Sequence, residues 1–139
     1  MEIASHRRIP VDLVRIFLGV ALFVKGVQFY LDPTFVTESL TRGGWFEAVP
    51  GVVLYYIVLA HIVGGSLLAI GLLTRISVLV QLPVLLGAAF IVSLPEGPLS
   101  YTHRFEFTAL VLFLLLMILL HGGGRLSVDH YLKSRAQAA

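Results

Sequence analysis

Four long apolar runs divide this chain, and each is close to the length that crosses a bilayer. A helix rises about 1.5 Å per residue, so about 20 apolar residues cover about 30 Å of hydrocarbon. The runs cover about 11–31, 52–73, 76–94 and 105–121. They close at Asp32-Pro33, at Thr74-Arg75, at Pro95-Glu96-Gly97-Pro98 and at Gly122-Gly123-Gly124. Backbone groups in lipid must be satisfied within a segment, and a β-barrel would need many more segments, so the runs predict helices. The expected architecture is an all-α membrane protein, a four-transmembrane-helix bundle forming one domain over residues 1–139. The turn between the second and third runs is very short, which makes those helices antiparallel neighbours. Pro83 predicts a kink in the third.

Composition agrees. The chain is 58% hydrophobic and only 13% charged, far from the balance of a soluble domain. Its net charge of +2 is modest and its cations sit at helix ends, so nucleic acid is not an expected partner. With no cysteine, disulfides, thiolate metal sites and thiol redox chemistry on this chain are excluded. The N-terminus superficially resembles a signal peptide, but Arg15 and Lys25 interrupt its apolar stretch and no cleavage site is visible. It reads as a retained first helix.

Four spans put both termini on one side. That side carries Arg7, Arg8, Arg75, Arg125, Lys133 and Arg135, and the opposite loops carry Arg42 and Arg104. The positive-inside rule places both termini in the cytoplasm. The 33–50 loop then faces outward, its Phe35, Trp45 and Phe46 suited to the membrane surface. Residues 127–136 read as an interfacial helix with Ser127 as N-cap.

Ionisable residues within a span usually face the bundle interior or water. Lys25 lies six residues before Leu31, about 9 Å below the outer boundary. Gln28 is about one turn from it, Glu106 begins the fourth span, and His61 falls near the midplane of the second. Lys25, Gln28, His61 and Glu106 are therefore expected to line one polar cavity in the outer half, with Tyr55, Tyr101 and His103 near its mouth. In the inner half, Arg15 and Gln81 form a second candidate pair. Each residue also has a plainer reading. Lys25 would snorkel to the interface, Glu106 would start a helix, His61 would be a packing residue, and Arg15 would sit near the inner boundary.

Other signals are weak. Gly122–Arg125 lacks the lysine and hydroxyl of a phosphate loop and reads as a helix stop. The five histidines show no zinc spacing, so no metal site and no catalytic residue is assigned. Ala60/Gly64 and Gly65/Ala69 give small-residue spacing, which predicts close helix packing within the bundle.

Three stretches carry a family likeness: "RIFLGVALFVKGVQFYLDP", "HIVGGSLLAIGLLTRISVLVQLPVLLGAAF" and "HGGGRLSVDHYL". They resemble the DoxX family of small bacterial membrane proteins, with the "GLLTR" and "GRLS-D" turns the most specific parts. The sequence departs from that family's commoner pattern at His61, where many members carry an acidic residue, and at Lys25. The resemblance implies a four-helix bundle in the bacterial inner membrane. It also implies a non-catalytic accessory role beside a respiratory or other redox complex, with other membrane subunits or further copies of the chain as partners. The alternative is a quinone- or lipid-binding module, with Lys25, His61 and Glu106 at the polar end of an apolar pocket and no covalently bound cofactor. A small transporter is a third reading, weakened by the lack of an inverted repeat.

Overall fold

A computed structural model describes residues 9–42, 50–93, 104–122, 124 and 126–138. Among these residues every regular element is helical. The elements are α1 (Ile9–Leu31), α2 (Thr34–Arg42), α3 (Pro50–Leu59), α4 (Gly65–Ile70), α5 (Thr74–Gly87), α6 (Arg104–His121) and α7 (Val128–Ala138). A π-helical turn, Ala60–Gly64, joins α3 to α4 without a break, and a second π segment, Ala88–Ser93, follows α5.

The core is drawn from α1, α4, α5 and α6. Leu18 and Leu22 meet Leu68, Val78 and Leu85, and Val111, Leu115 and Ile118 complete the cluster. The opposite faces are apolar too: Leu13, Phe17 and Val20 of α1 and Leu110, Phe113 and Leu120 of α6 are exposed. A helix apolar on every side suits a non-aqueous surrounding. Gly51–Ile70 combines length and apolarity most clearly, with 20 residues at a mean hydropathy of 2.1. Thr74–Phe90 and Phe105–His121 are shorter apolar helices. The 23-residue α1 is long enough to span, but Asp12, Arg15 and Lys25 interrupt it.

Helix boundaries follow the expected runs with local differences. The second run ends at Ile70 rather than Leu73, because Gly71 turns left-handed with φ 78° and Leu73 follows at φ 50°. Pro83 lies inside α5, with helix on both sides of it. The loop after Pro33 contains a helix that the sequence reading left out. Asp32 starts α2 by accepting hydrogen bonds from the Thr34 amide and hydroxyl. Those bonds, the hydroxyl first, hold the Asp32 carboxyl below its ordinary pKa. Val36 and Leu40 anchor the buried face of α2. Trp45 and Phe46 lie outside the described residues.

Close approach of α1 to α4 needs glycine. A Cβ on Gly19 would overlap the Ala69 backbone nitrogen, and one on Gly65 would stand 2.6 Å from the Phe23 nitrogen. The small-residue spacing thus packs helices within the chain, as the sequence suggested.

The C-terminal helix closes the short turn after α4. Ser127 caps α7 through His130 N–H, matching its expected role. Asp129 accepts from the Leu73 amide at 2.8 Å, the Thr74 amide at 2.9 Å and the Thr74 hydroxyl at 3.0 Å. Its carboxylate therefore caps α5 from a different helix and holds Leu73 in its left-handed conformation. Asp129→Ala is expected to cost about 1–2 kcal/mol, the range for a lost N-cap, and to speed hydrogen exchange at Leu73 and Thr74. Unchanged exchange there would contradict this role.

Candidate functional site

The candidate polar residues fall at two places in the described bundle, one near the start of α1 and one near its end. Their composition differs from the expectation.

The first is built on α1. Arg15 and Asp12 are one turn apart and buried, with 0% and 1% of their side chains exposed and 3.5 Å between them. The Arg15 guanidinium donates to Leu68 O at 2.8 Å, Ala69 O at 3.2 Å and Leu126 O at 3.3 Å. Asp12 accepts from the Leu126 amide at 3.2 Å. Gly71 and Gly124, both at positive φ, leave room for the two side chains: a Cβ on either would overlap Arg15 or Asp12. This ion pair ties α1 to the end of α4 and to the segment before α7. A guanidinium suits the task because its fork reaches several carbonyls at once.

Arg15 does not pair with Gln81, contrary to expectation. Gln81 is buried in α5, and its amide donates to Ala60 O at 2.7 Å, at the start of the π turn. A π turn departs from the ordinary i to i−4 ladder, and Gln81 brings a side-chain donor to it from across the bundle. Each residue therefore satisfies backbone carbonyls of the second apolar run, but at different levels.

The second is a cavity of about 500 Å³. Leu22, Lys25 and Phe29 of α1, Val36 and Leu40 of α2, Tyr56 and His61 of the second run, Pro83 and Gly87 of α5 and Phe107 of α6 line it. The structure brings Lys25 and His61 together here. Gln28 is exposed and does not line the cavity, and Glu106 is exposed at the start of α6, where Phe107 and Thr108 line it instead. Tyr56, not Tyr55, takes the wall position, with its hydroxyl donating to Val80 O at 3.0 Å. His103 and Tyr101 lie outside the described residues. The cavity is thus largely apolar, with a few polar groups.

The π turn positions His61. Its Nδ1 lies 2.9 Å from Ile57 O. A carbonyl only accepts, so Nδ1 carries the proton and the neutral ring presents Nε2 as an acceptor. The ring meets Phe29 edge-on, with centroids 5.3 Å apart and planes at 76°. A Cβ on Gly26 would touch His61 Cβ at 2.8 Å, so glycine lets α1 bring Lys25 beside the histidine. Among the described residues, no group of three or more histidine and carboxylate side chains forms a metal centre.

A family model, DoxX, matches residues 11–94, more than half of the chain. The chain belongs to the DoxX family. The matched region runs from α1 through the third apolar run, so it holds Arg15, Lys25, His61 and Gln81. DoxX membership makes this a membrane protein, from a family of uncertain function. No curated protein and no solved structure matches the chain.

Proposed function

We propose that this DoxX protein is a four-span protein of the bacterial inner membrane that binds a lipid-like molecule in its outer cavity. The Arg15–Asp12 centre and the start of α1 face the cytoplasm, and Lys25 and His61 form the polar end of the pocket. The observation that carries this reading is the cavity itself. Its volume of about 500 Å³ falls within the roughly 300–1,000 Å³ of small-molecule sites, which are typically apolar with a few placed polar groups. The binding role takes precedence over the accessory role expected from the family because the cavity selects a class of ligand, whereas no geometry here selects a partner complex.

Gly87 supplies the test. It lines the cavity, and nothing lies within 4 Å of a Cβ built on it. Gly87→Leu would project into open space without backbone overlap and improve helix propensity by roughly 0.5–1 kcal/mol. Mass spectrometry of extracts from protein purified in mild detergent is expected to find a near-stoichiometric amphiphile on the wild type. The same extract of Gly87→Leu should have lost most of it while keeping its helicity. Equal amounts on both proteins would overturn the reading.

A further inference from the structure

We infer that the cavity selects an amphiphile with a phosphate monoester headgroup, held between Lys25 and His61. This rests on the binding role proposed above and goes further by naming the headgroup. The first observation is charge. Lys25 lines the cavity, and among the described residues no aspartate or glutamate does. Among the described residues Lys25 forms no ion pair. Lys25 is exposed as well as lining the cavity; a cation beside apolar walls at membrane depth attracts a counter-charge, and here the ligand supplies it.

The second observation is the histidine. Its Nδ1 proton is committed to Ile57 O, so the neutral ring offers only an acceptor at Nε2. The headgroup must then accept from the Lys25 ammonium and donate to His61. A carboxylate accepts from lysine but meets the Nε2 lone pair with another. A neutral alcohol donates to histidine but leaves the lysine without a counter-ion. A quinone carbonyl accepts only. A singly ionised phosphate monoester does both, through an ionised oxygen and a P–OH. Its second proton is released near neutral pH, where an imidazole takes one up. If the proton moves to Nε2, the bond reverses direction and the sum of charges over lysine, histidine and phosphate stays zero. Either position of the proton satisfies all three groups. The apolar walls from Leu22, Phe29, Val36, Leu40 and Phe107 take the chain.

The test compares three probes of one acyl chain length on the full protein in detergent: a lysophosphatidate, a free fatty acid and a monoacylglycerol. Binding is read by native mass spectrometry. The wild type is expected to prefer the lysophosphatidate over the other two. Lys25→Met should weaken the lysophosphatidate by about tenfold or more, the value of a charge-assisted hydrogen bond, and leave the monoacylglycerol unchanged. Lys25→Arg keeps the charge and should keep the preference, which separates a charge effect from a folding defect. Equal binding of all three probes by the wild type, abolished by Gly87→Leu, would overturn the headgroup assignment and leave the binding role standing. Competition by inorganic phosphate at the concentration of the lipid would also overturn it, because the apolar chain would then contribute nothing. Failure of every probe to bind would overturn the binding role and this inference with it.

Discussion

Arg15→Met is expected to destabilise the protein by about 3–5 kcal/mol, the range for breaking a buried ion pair from one side. The reason is what the substitution leaves behind. Asp12 remains buried at 1% exposure without its cation. Leu68 O, Ala69 O and Leu126 O lose their side-chain donor together. Two separate stretches of chain, the end of α4 and the segment before α7, would lose their tie to α1. Arg15→Lys should fall between wild type and Arg15→Met, since one ammonium keeps the charge but lacks the planar fork. Asp12→Asn combined with Arg15→Met should recover part of the loss by removing the stranded charge. Unfolding in mixed micelles with increasing SDS measures all three. A loss below about 1 kcal/mol for Arg15→Met, as for a surface pair, would show that the centre is solvated.

The second large effect is expected at Gly65. A Cβ there would lie 2.6 Å from the Phe23 nitrogen and 2.8 Å from Gly19 O, both backbone atoms. No rotamer change relieves such a contact, so Gly65→Val must push α1 away from α4. Helices in lipid associate by close packing and hydrogen bonds rather than by the hydrophobic effect. Separation therefore loosens the Leu18, Leu22 and Leu68 packing and stretches the Arg15 bonds at once. The expected loss is about 3 kcal/mol, the upper end of ordinary overpacking costs. Gly51 is the control. It is exposed in α3 and a Cβ there meets nothing within 4 Å, so Gly51→Ala should stay within about 0.5 kcal/mol of wild type. If both substitutions have the same effect, the close α1–α4 crossing is not the cause.

The helices were legible because lipid-length apolar runs and glycine or proline stops act locally along the chain. Helix α2 escaped because its buried face rests on two residues, Val36 and Leu40, too short a pattern to stand out near Pro33. The early end of α4 escaped because Gly71 sits inside an apolar run that continues to Leu73, and the residue that holds the turn after it, Asp129, is far along the chain. Depth arithmetic put Lys25 and His61 at neighbouring levels by counting residues along helices, and both line the cavity. It could not rank Gln28 or Glu106, because depth says nothing of which way a side chain faces around its helix. The Arg15–Gln81 pairing failed for a related reason. Polar side chains at matching depth read as partners, but both residues bond backbone carbonyls, which carry no sequence signal. The π turn at Ala60–Gly64 is equally silent in the residues, although Gln81 at a buried level was a clue that some carbonyl needed a donor. Tyr55 and Tyr56 differ by one position, and only the helix rotation decides which lines the cavity.

The most direct measurement is cryo-electron microscopy of the protein in a lipid nanodisc, at a resolution that shows ordered acyl chains. The expected result is an elongated density filling the cavity, with its polar end between Lys25 Nζ and His61 Nε2. A cavity closed by the chain's own side chains, with Lys25 turned outward to the membrane surface, would contradict the binding role.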